Sequence, residues 1–314
     1  MSDEAIHNPH DKLFKAGFGD PATAAAFLRE ELPAGVASLI DWSALRPEPG
    51  TFVDSHYRHS ESDLLFSAPL AGKPCLVYLL FEHQIKEEAM LALRLLRYMV
   101  RIWEAHLKKH PESRALPVIL PVVLAHNAVA WKLAPNFASI IDLPPGEGGA
   151  MAPFIPDFVF RLIQLADLPW ERIRGNPEVV MILRVMKAER ASQLLGDDVW
   201  DEALMARLSR ALLDLLMRYI LEAGIDKSAF ERRVLSVATP EIRTIAMTIA
   251  QQIRQEGRQE GRQDDILEAL ELRFGTVPEG MAATLRGIHD DNRLRTLLRA
   301  AIRAASLEDF TKAL

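Results

Sequence analysis

The stretch that most constrains the chain is Ser62–Gln84, SDLLFSAPLAGKPCLVYLLFEHQ. Two apolar runs flank a short connection, LAGKP, which carries Gly72 and Pro74. That pattern predicts two antiparallel strands joined by a tight turn. An acid, Asp63, opens the first strand, and Glu82-His83-Gln84 closes the second. Side chains alternate faces along a strand, so Glu82 and Gln84 are expected on one side and His83 on the other. An acid on one strand end and acid-x-amide on the next make half a shell for a hard divalent cation. Such ions take carboxylates, amide or backbone carbonyls and water, and can bridge to phosphate. Strand ends also carry polar residues simply because they meet solvent, and spacing alone does not separate the two readings.

The remaining chain offers further strands and many helices. Leu116–Ala125, LPVILPVVLA, is almost wholly apolar and reads as a strand covered on both faces, although Pro117 and Pro121 are awkward for a central position. His126-Asn127 ends it, either as a strand-exit turn or facing the same edge as Glu82. Phe154–Leu168 reads as another strand, Arg46–Gly50 as a loop and Thr51–Tyr57 as a weak strand. Helical spacing covers His7–Pro33 in two runs, the second opened by Asp20-Pro21. It returns in Ile85–Lys109, Val179–Leu195, Trp200–Leu221, Pro240–Arg254 and Asp264–Phe274, the last stopped by Gly275. Met281–Leu314 adds one or two more helices. Between them lies RQEGRQEGRQ, a period-four repeat at Arg254–Gln263. Each glycine there costs about 1 kcal/mol of helix propensity, which points to a hinge-like helix or to close packing of another helix. The expected organisation is a domain over residues 1–240, a helical linker with the glycine repeat over 241–263, and a small helical region over 264–314.

Two further residues are candidates. Asp11 opens the first helix, where an acid is favourable in any case. Arg94, Arg97 and Arg101 share part of one helix face, either as a solvated stripe or as phosphate contacts. Arg94 is set apart because it follows Gln84 by nearly three helical turns.

Composition narrows the classes. The chain has 314 residues, 49% of them apolar, enough for one large domain or a domain with an appendage. A net charge of −6 argues against sequence-independent nucleic-acid binding through a broad basic surface. One cysteine, Cys75, forbids an internal disulfide, reads as a small core residue, and fits a reducing cytoplasm. The N-terminal MSDEAIHNPHDKLF has no apolar signal-peptide core, and no run reaches the roughly 18 apolar residues of a membrane span. The glycine cluster GEGG at Gly146–Gly149 lacks the Gly-Lys-Ser/Thr ending of a phosphate-binding loop.

Taken in order, His10-Asp11-Lys12-Leu13-Phe14-Lys15, Ser62-Asp63-Leu64-Leu65, Glu82-His83-Gln84, Arg94-Leu95-Leu96-Arg97-Tyr98-Met99 and the glycine-repeat helix resemble the recombination-promoting nuclease and transposase-like family. Arg273-Phe274-Gly275 resembles its C-terminal segment. That family belongs to the PD-(D/E)xK nuclease superfamily. The resemblance implies an α/β fold, a restriction-endonuclease-like mixed sheet flanked by helices, with an α-helical C-terminal appendage. It also implies a Mg²⁺-dependent (or other divalent-cation) DNA endonuclease linked to recombination and mobile DNA. Asp63 and Glu82 match the metal-binding acids, Gln84 stands where the superfamily usually has lysine, and Asp11 matches the N-terminal acid. Ile85 stands where the family usually has serine.

Two other classes compete with the nuclease. One is a non-catalytic DNA-binding scaffold that keeps the fold, favoured by the low basic content. The other is a self-associating protein that pairs a second copy through Arg254–Leu314. Neither needs a membrane.

Overall fold

The hairpin forms as its residues dictate. In the computed structural model, which describes residues 9–48, 63–82, 87–144, 146 and 148–314, β2 (Leu64–Leu70) and β3 (Lys73–Glu82) pair antiparallel. Ala71 and Gly72 alone join them, with φ of 49° and 79°. Two successive positive φ values make the turn whose twist matches the strands it connects, and glycine takes its half without steric cost.

Three more strands complete the sheet. β1 (Arg46–Pro47) lies at the edge against β2, β4 (Val118–Ala125) runs parallel to β3, and β5 (Arg161–Gln164) parallel to β4. The order is β1-β2-β3-β4-β5, a mixed sheet of the expected α/β class. Arg46 and Pro47 were expected in a loop; an edge strand tolerates proline because no outer neighbour needs its missing N–H. The expected Thr51–Tyr57 strand lies outside the described residues. In β4, Pro121 lies just beyond Val122–Ala125, the residues paired with β5. β5 is shorter than the Phe154–Leu168 run because Phe158 and Phe160 bond instead to Phe137 and Pro135.

The helices of the first part are α1 (Pro9–Phe18), α2 (Pro21–Glu31), α3 (Ala34–Ala37), α4 (Leu91–Lys109), α5 (Gly148–Met151), α6 (Pro177–Arg190), α7 (Glu202–Met205), α8 (Arg210–Glu222) and α9 (Lys227–Ser236). Asp20 caps α2 by accepting from the Thr23 amide at 2.8 Å. The expected single helix over Trp200–Leu221 is two. Asp201 accepts from the Leu204 amide to start α7, and Ser209 accepts from the Leu212 amide to start α8. Each cap stabilises a new helix start, so the apolar spacing is interrupted between them.

The α4 stripe Leu91, Leu95, Tyr98, Met99 and Ile102 packs on Leu65, Tyr78, Ile119 and Val123 of the sheet. Sheet residues of opposite parity, Phe66, Val77, Leu79, Val122 and Leu124, are buried as well, so both faces are covered. α1 and α6 approach closely at Gly17, where an added Cβ would fall 2.1 Å from Ile182 Cδ1. Among the described residues, no helix is long and apolar enough to cross a membrane.

The chain divides into two compact units, residues 1–243 and 244–314. Pro240–Arg254, the repeat and Asp264–Phe274 form one 35-residue helix, α10 (Pro240–Phe274), ended by Gly275 at φ +81°. The second unit adds α11 (Glu279–Arg286), α12 (Asp291–Arg303) and α13 (Leu307–Thr311) around Ile266, Leu270, Leu285, Leu294, Leu297 and Phe310.

The repeat has a use, though not the close packing expected of its glycines. Gln259 and Gln263 are buried one turn apart. Gln263 Nε2 donates to the Ile288 and Arg286 carbonyls at 2.9 and 3.2 Å, and Gln259 Nε2 to that of His289. They satisfy carbonyls at the end of α11 and in the connection to α12. A Cβ at Gly257 or Gly261 would meet nothing within 4 Å. Replacing both with alanine should therefore stabilise α10, by about 1 kcal/mol each, read as a higher melting temperature and stronger helical circular dichroism.

Candidate active site

Register builds the first part of the site. Leu65 pairs with Tyr78, and Asp63 lies two residues before Leu65, on the same face. The Tyr78 hydroxyl donates to Asp63 Oδ2 at 2.8 Å. Burial, then the Asp63 charge, pushes the Tyr78 phenol well above its usual pKa, so it stays protonated and keeps donating. Tyr98 of α4 packs on Tyr78 with ring centroids 5.4 Å apart, and its phenol is raised by the same two causes. Arg94, one helical turn before Tyr98, forms an ion pair with Glu88 at 3.0 Å. Its positive charge acts against the rise on both phenols, so it shares their electrostatic neighbourhood with Asp63. Glu88, Arg94, Arg97, Tyr98 and Arg101 line a cavity of about 130 Å³.

The other expected residues fall differently. Glu82 closes β3 opposite Ala125, the last residue of β4. The start of β2 and the ends of β3, β4 and β5 therefore share one end of the sheet. Gln84, with His83 and Ile85, lies outside the described residues. Asp11 is buried in the first turn of α1. Its neighbour His10 meets the His126 ring edge-on at 4.7 Å, and His126 directly follows Ala125. The first turn of α1 thus reaches the sheet end where Glu82 stands.

That contact belongs to a polar network absent from the sequence reading. His10 Nδ1 lies 2.7 Å from the Tyr219 hydroxyl on α8. His126 Nε2 lies 2.8 Å from the Met186 carbonyl and 3.3 Å from Glu189 Oε2, both on α6. Arg190 Nε donates to the His126 carbonyl at 3.1 Å and lies 3.4 Å from Glu189 Oε2. Burial lowers the His126 pKa, its bonds to Glu189 and Met186 notwithstanding. Partial burial alone would raise the Glu189 carboxyl, but the His126 hydrogen bond and the Arg190 charge outweigh it and hold the pKa below the ordinary value. Beside this network, Gln164 at the end of β5 accepts from Asn127 Nδ2 at 2.9 Å and from the Trp131 amide at 2.6 Å. Residues 10, 126, 189 and 219 have no common spacing, so no motif could have grouped them. The one available signal was His126-Asn127 at the exit of an apolar strand.

Residues 8–212 match the family described as "Putative transposase, YhgA-like". The chain belongs to this family. The family falls within the PD-(D/E)xK nuclease superfamily, in keeping with the mixed sheet and its helices. The chain is 28% identical over 254 residues to recombination-promoting nuclease RpnD of Escherichia coli O157:H7, covering 79% of this chain and 95% of that protein. It is 30% identical over 196 residues to recombination-promoting nuclease RpnA of Escherichia coli K12, covering 62% and 65%. It is also 27% identical over 241 residues to a K12 protein named inactive recombination-promoting nuclease-like protein RpnE, covering 76% and 78%. No solved structure matches significantly.

Two outcomes follow from this geometry. Tyr78→Phe removes one hydrogen bond to a carboxylate and should lower stability by about 1.5–3 kcal/mol in denaturant titration. His126 has a folded pKa below its ordinary 6.5, so the unfolded chain binds its proton first as pH falls. Its contribution is fully present above about pH 6.5 and declines as pH drops below that value. His126→Gln should flatten this part of the stability profile, measured by melting temperature against pH.

Proposed function

We propose that this chain is a divalent-cation-dependent DNA endonuclease acting in recombination or on mobile DNA. The observation that carries the reading is Asp63, bonded to buried Tyr78 at the sheet end where Glu82 closes β3, in a chain of this family. The names of RpnD and RpnA support it.

The donors suit a hard cation such as Mg²⁺. Asp63 and Glu82 supply carboxylate oxygens, and Tyr78 holds the Asp63 carboxylate without adding a competing positive charge. Asp63 and Glu82 would hold the ion. When bound, it would stabilise negative charge on the phosphate and lower the pKa of a bound water. Gln84 is neither a base nor a cation, so its role is to orient the attacking water through its amide. Arg94 neutralises the scissile phosphate, which must take the place of Glu88 on its guanidinium. Asp11 supports the site from α1. Residues 1–240 carry this chemistry, 241–263 act as a linker, and 264–314 are an appendage.

A second reading is a non-catalytic DNA-binding protein that keeps the fold. It is favoured by the relative named as inactive.

Supercoiled plasmid separates the two. The wild-type chain should nick it with Mg²⁺ and not with chelator, and Asp63→Ala should lower the rate on the order of a hundredfold or more while staying folded by circular dichroism, with a melting temperature lowered by the loss of the Tyr78 bond. A fully active, metal-dependent Asp63→Ala variant would overturn the site. No nicking by wild type with any divalent ion would favour the non-catalytic reading.

A further inference from the structure

The buried network beside the sheet end has a composition that the nuclease reading does not use. His10, His126 and Glu189 each offer a ligand atom, and these atoms all lie within 4.8 Å of one another. They come from α1, the exit of β4 and α6, elements brought together only by the fold. We infer that these three residues bind a transition-metal ion of the zinc class, through a ligand set that shares no residue with the Asp63 and Glu82 pair.

The donor types decide the class of ion. Two imidazoles and one carboxylate suit Zn²⁺ and its first-row neighbours, whereas Mg²⁺ prefers oxygen ligands and keeps several waters. The surroundings are those of an oriented ligand set. Metal-bound imidazoles ordinarily engage their second nitrogen with a carbonyl, carboxylate or hydroxyl, which fixes the ring. Here the Tyr219 hydroxyl lies 2.7 Å from His10 Nδ1, and the Met186 carbonyl 2.8 Å from His126 Nε2, which makes Nδ1 the ligating nitrogen of His126; Glu189 Oε2, now 3.3 Å from Nε2, must turn from it to reach the ion. His126 is fully buried, so its ring is held in place by packing. His10 and Glu189 are only partly buried, which leaves the ion a route in.

Two features bound the affinity. Zinc–nitrogen bonds are about 2.0–2.1 Å, so two ligands of one tetrahedral ion stand about 3.4 Å apart. The side chains must therefore draw together by up to about 1.4 Å from the 4.8 Å limit. Arg190 lies 3.4 Å from the Glu189 carboxylate and repels an arriving cation. The two imidazoles consequently carry most of the binding.

The test uses the full chain after chelator treatment, titrated with Zn²⁺ by calorimetry and with Co²⁺ by visible absorption. Wild type and Asp63→Ala should each bind one Zn²⁺ at this site. His10→Gln and Glu189→Gln, both at partly exposed positions, should bind it at least about tenfold more weakly and alter the Co²⁺ spectrum. Thermal melts establish that each variant is folded. The inference is overturned if wild type binds no Zn²⁺, if folded His10→Gln and Glu189→Gln bind as wild type does, or if binding is lost only in Asp63→Ala. Should either variant fail to fold, a wild-type Co²⁺ spectrum with the weak bands of an all-oxygen octahedral site would equally overturn it. No arm depends on DNA cleavage.

Discussion

β3 carries the sheet's two kinds of pairing at once, antiparallel to β2 and parallel to β4. Its register against β2 is set by a two-residue turn with no room for slippage. A one-residue slip would turn Tyr78 to the opposite face and break its bond to Asp63. The parallel register with β4 sets Glu82 beside Ala125 and so decides which residues follow at the strand exits. The candidate site is in this sense a consequence of strand pairing.

The same residues serve the core. Tyr78 and Tyr98 pack with Leu65, Leu95 and Ile102 under α4, while the Tyr78 hydroxyl reaches the Asp63 carboxylate. Burial would leave a lone carboxylate costly, and a neutral phenol held protonated offsets part of that cost. Arg94 and Tyr98 stand one turn apart on one face of α4. The helix that closes the core therefore also carries Arg94, paired with Glu88. A chemical group fixed by core packing is held more closely than one on a loop.

On the other side of the sheet end, α1, α6, α8 and the exit of β4 are tied by His10, Tyr219, His126, Glu189 and Arg190. The close approach of α1 to α6 at Gly17 makes that tie geometrically available. Buried polar groups of this kind are stable only as a satisfied set, so the network and the helix packing support each other.

Local patterns were enough for the hairpin, its tight turn, the apolar β4, the amphipathic α4 and the stop at Gly275. Each rests on alternation, helical spacing or a residue's own φ preference, which act over a few residues. The resemblance carried by Asp11, Asp63, Glu82, Gln84 and Arg94 likewise rested on short motifs. Local patterns did not reveal the edge strand at Arg46-Pro47, the split between α7 and α8, or the continuity of α10 through its glycines. Those outcomes depend on which neighbour supplies a hydrogen-bond partner or a cap. The bond of Tyr78 to Asp63, the pairing of Arg94 with Glu88, and the meeting of His10, His126 and Glu189 join residues up to 179 positions apart, from residue 10 to residue 189. Sequence alone determined which chemical groups this protein has and which local elements carry them. Tertiary structure decided which groups meet, because contact between distant residues is set by strand register and helix packing.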